Sequence, residues 1–205
     1  MYHFKINEQT HYIHHDSEVS AVCVSKNGIV ASGERGKQPS IHIWDIQELR
    51  PMSVFKGQHK SDVYLMAFVN NDRYLVTCGK RVDTPVIIYS LDEGTIVLST
   101  HVDQFVRCIL SVNNLVGEFK MSEFRSRPVE SYFILLSAEK IYFYLADIDG
   151  NYEAREQYVE QIGGGSEAIT SGICFYINNS NPDLKAYVSR TGLNTKNLQT
   201  DSWYW

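Results

Sequence analysis

A chain of 205 residues is long enough for one ordinary domain with a sizeable core. Hydrophobic residues make up 43%, charged residues 21% and aromatic residues 12% of the chain, and β-branched residues are plentiful, which favours half-buried strands over helices. The formal charge of −5 argues against a general nucleic-acid binder, and no apolar run approaches the roughly 20 residues of a membrane helix.

Cysteine usage points to a reducing compartment. Cys23, Cys78, Cys108 and Cys174 each lie in an apolar stretch, and none forms a CxxC pair. Buried thiols without crosslinks are typical of such positions. The N-terminal residues contain no apolar signal core. We therefore expect a soluble, cytoplasmic protein that uses no cofactor and binds neither nucleic acid nor membrane.

The first predicted element is an N-terminal strand region at 1–13, where Tyr2, Phe4 and Ile6 alternate with polar residues. An internal repeat follows this region.

The repeat has a period of about 44 residues, because His15 and His59 are 44 positions apart in two segments that align. Each segment holds three strand-like runs separated by turn residues, and a fourth short run follows each of them. Four short strands per period of about 40–45 residues describe a propeller blade. We predict blades at 14–57 and 58–100.

Two further units show more drift. A third blade is predicted at 101–161, with a long polar insertion at 113–131 between its first and second strands. A fourth unit at 166–205 begins with two strand-like runs, but its tail offers no convincing third strand. We therefore predict an incomplete last blade.

These repeats resemble the WD-repeat family, whose blades carry a histidine before the first strand, a small hydroxyl residue ending the second strand and Trp-Asp ending the third. In that family these side chains and a turn aspartate form a hydrogen-bonded network within each blade. The resemblance gives this role to eight residues here: His15, Ser32, Trp44 and Asp45 in the first unit, and His59, Thr77, Asp83 and Tyr89 in the second.

The sequence also departs from the family pattern. Gln38 stands where the first unit should have its aspartate, and Tyr89 and Tyr144 replace tryptophan in the second and third units. We expect each network to be incomplete, while tyrosine keeps the packing role. Because a strand from one chain end often completes the last blade in the family, Tyr2 and its neighbours are expected to pair with the incomplete blade.

A narrower resemblance lies in the phrase ASGERGKQPSIHIWD at 31–45. It is similar to the echinoderm microtubule-associated protein-like group and related ciliary WD-repeat proteins. The resemblance implies association with microtubules, and with the axoneme of a cilium or flagellum.

Two chemical motifs have simpler structural explanations, and no catalytic motif is found. His11, His14 and His15 form the densest histidine cluster, but His15 matches His59 in the repeat and no carboxylate or cysteine lies at zinc-ligand spacing, so no metal site is predicted. The GERGKQ turn at 33–38 lacks the spacing and the following helix of a phosphate loop. No nucleophile has a base placed by a known motif, so we expect no enzyme.

Partner binding is predicted at two places. The turns between second and third strands would bring four basic residues together on one face: Arg35, Lys37, Lys80 and Arg81. They are either solvated turn charges or a docking patch for an acidic partner such as the tubulin tails. The insertion carries three apolar residues that are expected to dock on a partner or a neighbouring blade: Phe119, Met121 and Phe124.

The sequence as a whole predicts an all-β fold, a partial WD-repeat β-propeller over 1–205 with three blades and part of a fourth. Its uncovered faces would need the remaining blades, from the same or another chain. The predicted function is a protein-interaction scaffold of the microtubule cytoskeleton. The alternative is a cytosolic WD-repeat adaptor, such as a ubiquitin-ligase receptor or a trafficking-complex subunit.

Overall fold

The computed structural model describes residues 2–3, 8–80, 84–112, 129–137, 140–147, 152–158, 169–177, 184–191 and 201–204, and every regular element in these ranges is a strand. None of the described residues forms an apolar helix of membrane-spanning length.

After an N-terminal hairpin of β1 (Tyr2–His3) and β2 (Glu8–Gln9), four larger antiparallel sheets follow one another along the chain, each made of strands that pair with their sequence neighbours. The first sheet consists of β3 (Val19–Val24), β4 (Ile29–Glu34), β5 (Ile41–Asp45) and β6 (Pro51–Phe55). The second sheet consists of β7 (Val63–Val69), β8 (Tyr74–Gly79), β9 (Thr84–Ser90) and β10 (Thr95–Val102). Such four-stranded meanders are the architecture of propeller blades.

The third and fourth sheets occupy the second half of the chain. The third consists of β11 (Cys108–Val112), β12 (Val129–Leu136), β13 (Lys140–Asp147) and β14 (Tyr152–Tyr158). The fourth has three strands, β15 (Ile169–Ile177), β16 (Leu184–Thr191) and β17 (Asp201–Tyr204). The chain divides into two compact units, one built around the first and second sheets and the other around the third and fourth.

Three expectations need correction. β17 pairs with β16, so the fourth sheet does have a third strand. At Tyr2–His3 the N-terminal strand β1 pairs with β2 (Glu8–Gln9) in a two-stranded hairpin of its own; Phe4 and Ile6 lie outside the described residues. The insertion is shorter than predicted, because β12 already begins at Val129; its remaining residues, 113–128, lie outside the described part.

The core of the first unit lies between the first and second sheets. Gly33 is placed so close to the second sheet that a Cβ there would lie 2.7 Å from the Cβ of Val63, so only glycine permits this approach. The Ser20 hydroxyl donates to the Val63 carbonyl at 2.6 Å, which ties the innermost strands together. Eight buried residues form the core cluster: Ala31, Ile41 and Ile43 of the first sheet, and Val63, Phe68, Leu75, Ile87 and Tyr89 of the second.

Candidate functional site

A hydrogen-bonded chain crosses the first sheet. Trp44 Nε1 donates to Ser32 Oγ at 2.9 Å, and Ser32 Oγ lies 2.6 Å from His15 Nε2. His15 Nδ1 lies 3.0 Å from Glu34 Oε1. Because a carboxylate only accepts, Nδ1 carries the ring proton and the Ser32 hydroxyl donates to Nε2. Three of the residues to which the resemblance gives a network role are thus brought into one chain of contacts.

The carboxylate of this chain comes from a position that the sequence analysis did not consider. Glu34 ends β4, is buried, and accepts hydrogen bonds from the backbone amides of Asp16 at 2.9 Å and Ser40 at 3.0 Å. Gln38 is exposed in the following turn with φ of 51°. The expectation that the first network lacks a carboxylate because of Gln38 is therefore wrong.

Glu34 is ionised at neutral pH because its neighbours stabilise the charge. Burial alone would raise the pKa of the Glu34 carboxyl, but hydrogen bonds from the Ser40 amide, the His15 ring and the Asp16 amide outweigh burial and lower the pKa to about 2. The site therefore holds one fixed negative charge in buried surroundings.

Two aromatic residues complete this site. Tyr12 stacks on Trp44 with ring centroids 4.4 Å apart and an interplanar angle of 9°, and its hydroxyl lies 2.9 Å from His42 Nδ1. The His42 ring is buried, with its centroid 4.1 Å from that of His15. Burial, together with the nearby His15, lowers the pKa of His42, so its ring is neutral at neutral pH. Neither Tyr12 nor His42 has a repeat counterpart that would have singled it out.

Asp45 has a separate, local role. Its carboxylate accepts hydrogen bonds from the backbone amides of Gln47 at 2.7 Å and Glu48 at 3.0 Å, which fixes the turn after β5. These contacts place Asp45 in the turn and not in the chain of contacts from Trp44 to Glu34.

In the second sheet, His59 Nε2 lies 2.7 Å from Thr77 Oγ1, and both side chains are buried. Burial lowers the pKa of His59 to about 4, so the ring is neutral. Tyr89 is fully buried, and its ring centroid lies 4.4 Å from that of Phe55 in the first sheet. Asp83, which the resemblance assigns to this network, lies outside the described residues.

In the third sheet, side-chain hydrogen bonds are formed by residues of other types. The Ser137 hydroxyl donates to Gln104 Oε1 at 2.5 Å, and the Tyr142 hydroxyl donates to Asp103. Tyr144 is buried and stacks on Phe133 with ring centroids 4.7 Å apart.

The two faces of the first sheet differ sharply. Strand register puts Val22, Ser32, His42 and Val54 in one row across the sheet, and Val24, Val30 and Trp44 in the next. This face, which we call the Trp44 face, exposes Val22 (58%), Val24 (57%) and Val54 (40%). The opposite face, with Ala31 and Ile43, is buried against the second sheet. Exposed apolar side chains that lie together on one sheet face indicate a surface that binds another part of a protein.

Nearby carboxylates reduce the positive charge of the predicted basic patch. Arg35 lies 3.1 Å from Glu18 and 3.7 Å from Asp62, so its charge is already paired with carboxylates. Lys37 and Lys80 are exposed. Two groups of proposed partner-binding residues lie outside the described part of the chain: Arg81 of the basic turns, and Phe119, Met121 and Phe124 of the insertion.

Comparison with solved structures identifies the class of fold. The β-propeller domain of Cps50 (Swd1) from Myceliophteria thermophila aligns with a TM-score of 0.55 and 14% identity, covering 85% of this chain and 50% of that one. Sqt1 from Saccharomyces cerevisiae gives 0.58 and 14%, with 86% and 43% coverage, and a chain of the mitotic checkpoint complex gives 0.53 and 12%, with 84% and 46% coverage. The fold is that of a β-propeller, as predicted.

Comparison of sequences finds similarity to one named group of proteins. No protein-family model matches the chain. The chain is 34% identical over 91 residues to cilia- and flagella-associated protein 52 of Sus scrofa, and 35% identical over 89 residues to the Mus musculus protein of the same name. Each match covers 42% of this chain and 14% of the relative, so the matched segment is a small part of those proteins.

Proposed function

We propose that this chain is a non-enzymatic protein-interaction scaffold, part of a WD-repeat propeller in a microtubule- or axoneme-associated assembly of cilia or flagella. The observation that carries the proposal is the Trp44 face, where Val22, Val24 and Val54 remain exposed and can be covered by a further sheet. The similarity to cilia- and flagella-associated protein 52 supports the ciliary setting.

The occupant proposed for the Trp44 face is a further propeller sheet. The corresponding face of the second sheet carries Thr77 and Tyr89, which are both fully buried, and it packs against the first sheet. The solved propellers that resemble this chain are about twice as long as the part it matches, since the matches cover 43–50% of them. The covering sheet comes from the same protein or from a partner chain.

A non-enzymatic role agrees with how the polar groups are used. Within the described residues, the hydroxyl groups of Ser32, Thr77 and Ser137 contact a histidine, a tryptophan or a glutamine of the sheet networks. These contacts fix neighbouring strands and turns, which is a structural use of histidine and hydroxyl groups.

For the partner surface we propose the basic turns, with Lys37 and Lys80 as the exposed cations. Arg81 follows Lys80 directly in the sequence. Acidic segments such as tubulin tails complement this charge, and steering by such charges raises association rates. Because Arg35 is already engaged by Glu18 and Asp62, it contributes less than the lysines.

Co-sedimentation with microtubules tests the scaffold proposal. The full chain is expected to pellet with microtubules, and the double substitution Lys37→Glu with Lys80→Glu is expected to weaken binding by about tenfold at low salt. Lys26→Glu, an equally exposed lysine in a different turn, is the matched control and should pellet like the unmodified chain.

Localisation provides the second arm of this test. The tagged protein should remain with axonemes after detergent extraction of ciliated cells. Recovery with ubiquitin-ligase or vesicle-coat components and no microtubule binding would instead favour a cytosolic adaptor and overturn the ciliary assignment.

A further inference from the structure

Three potential metal ligands converge beneath Tyr12 in the first sheet. His15 Nδ1 lies 3.0 Å and His42 Nε2 lies 3.9 Å from the same atom, Glu34 Oε1. All three atoms lie within 4.8 Å of one another. The side chains are 8%, 6% and 5% exposed for His15, His42 and Glu34, so the cluster is enclosed by protein.

His42 is the residue that the hydrogen-bonded network leaves unexplained. Its Nε2 is buried and has no hydrogen-bond partner among the described residues, although it is directed towards Glu34. A buried polar atom without a partner costs about 1–3 kcal/mol, and native proteins seldom retain one without a use. The chain of contacts from Trp44 to Glu34 is complete without His42.

We propose that His15, Glu34 and His42 form a zinc site, with water as the fourth ligand. Two imidazoles and one carboxylate are a common donor set for Zn²⁺. Ligand atoms around tetrahedral zinc are about 3.3 Å apart when the bonds are about 2.0 Å long. The observed separations from Glu34 are 3.0 and 3.9 Å, and the two histidine nitrogens lie within 4.8 Å of each other, so zinc binding requires His42 Nε2 to move towards both Glu34 and His15.

The surroundings match those of metal-binding histidines. Such residues nearly always use the second ring nitrogen for a hydrogen bond that fixes the ring. Ser32 lies 2.6 Å from Nε2 of His15, and the Tyr12 hydroxyl lies 2.9 Å from Nδ1 of His42. Both rings are therefore oriented by a neighbour on the side away from Glu34.

Metal binding requires the ring proton to move from one nitrogen to the other in both His15 and His42. Without metal, Nδ1 carries the proton and donates it to Glu34. With Zn²⁺ bound to Nδ1, the proton resides on Nε2 and is donated to Ser32 Oγ, which already accepts from Trp44. A serine oxygen can accept two hydrogen bonds, so this arrangement is chemically consistent. The tyrosine hydroxyl donates to Nδ1 of His42, which leaves that ring protonated on Nε2. With Zn²⁺ bound to Nε2, the ring proton resides on Nδ1 and is donated to the Tyr12 hydroxyl oxygen, so Tyr12 changes from donor to acceptor and the His42 ring stays neutral.

Zinc titration of the chelator-treated full chain tests the site. One Zn²⁺ should bind per chain, and the thermal midpoint of unfolding should rise with zinc concentration. His42→Gln should weaken binding by at least roughly 100-fold, because loss of even an outer hydrogen-bond partner costs about 10–100-fold. His14→Gln, an exposed histidine two residues from Tyr12, is the matched control and should bind zinc normally. Co²⁺ in place of zinc should give visible absorption bands that His42→Gln abolishes.

Several results would overturn the proposal. These are a folded wild-type chain that binds no zinc, equal affinity in His42→Gln and wild type, or loss of binding in His14→Gln with His42→Gln unaffected. If His42→Gln fails to fold, Tyr12→Phe keeps the ring on Trp44 and removes only the hydroxyl contact to His42. It should weaken zinc binding by about tenfold, and unchanged affinity would count against the site.

Discussion

The first and second sheets contain the same histidine–hydroxyl contact in two different surroundings. In the first, His15 and Ser32 connect to a buried carboxylate and to Trp44, which remains partly exposed. In the second, His59, Thr77 and Tyr89 are fully buried, and Tyr89 packs against the first sheet. The polar pair is constant, whereas the burial of the aromatic residue depends on what lies against the sheet. Packing therefore stabilises the second site more than the first.

The largest expected effect is the loss of the buried aromatic ring. Tyr89→Ala should lower the free energy of unfolding by about 3–5 kcal/mol, because it leaves a cavity against Phe55 and Ile43. Trp44→Ala should cost less, about 1–2 kcal/mol, since that ring is only partly buried. Urea unfolding of both variants measures the difference. Equal losses would show that the Trp44 face is already covered in solution.

A second prediction concerns the close approach of the two sheets. Gly33→Ala should destabilise the chain by about 1–3 kcal/mol, because the new methyl group would lie 2.7 Å from Val63 Cβ and 2.8 Å from its Cγ1. Gly36→Ala serves as a control for spacing, since nothing lies within 4 Å of a Cβ there, although its φ of 112° adds backbone strain. The two variants should differ in a double-mutant cycle with Val63→Gly, which removes the Val63 Cβ and both of its methyl groups and should relieve only the first.

A third prediction is a loss of stability on acidification. The folded-state pKa of His59 is lowered from 6.5 to about 4 by burial, so between these values the unfolded chain binds more protons than the folded one. Stability is therefore complete above about pH 6.5 and falls as the pH decreases towards 4. Linkage gives a loss of about 2 kcal/mol between pH 7.5 and pH 5. His59→Gln should make urea midpoints less sensitive to pH, and an unaltered pH profile would contradict this assignment.

The smallest expected effect is at the surface contact between the same two sheets. Asp62 accepts a hydrogen bond from the Gly36 amide at 2.8 Å and lies 3.7 Å from Arg35 Nε. Asp62→Ala should cost about 1 kcal/mol or less, because exposed ion pairs contribute little. Half of that loss or more should persist in high salt if the backbone hydrogen bond dominates. Complete loss of the effect in salt would assign it to the Arg35 pair.

The fold was predictable because each repeat consists of strand-length hydrophobic runs separated by turn residues. Alternation and spacing located the strands of the first two sheets, and the resemblance to WD-repeat blades implied the contacts among His15, Ser32 and Trp44. β17 was missed because its apolar residues lie in a polar, tail-like sequence, where pairing with β16 outweighs local preference.

The centre of the site was only partly predictable. Glu34, His42 and Tyr12 are separated in sequence from His15 by 19, 27 and 3 positions, and no fixed motif links them. Their meeting depends on the register of β4 and β5 and on the path of the segment before β3. One signal was available: ASGE ends β4 with the carboxylate that Gln38 could not supply. The proposed zinc site accordingly revises the sequence-based expectation of no metal.

The meander order of the sheets has a consequence for how the chain reaches its fold. Every described pairing in the four sheets joins strands that are neighbours in sequence, so most ladder contacts close short loops. Short loops lose little entropy on closure, and proteins rich in local contacts fold quickly. The Ser20–Val63 bond spans 43 positions and is an example of a contact that must wait for a second sheet. During synthesis, each sheet can therefore form soon after its last strand leaves the ribosome, before the next sheet arrives to cover it.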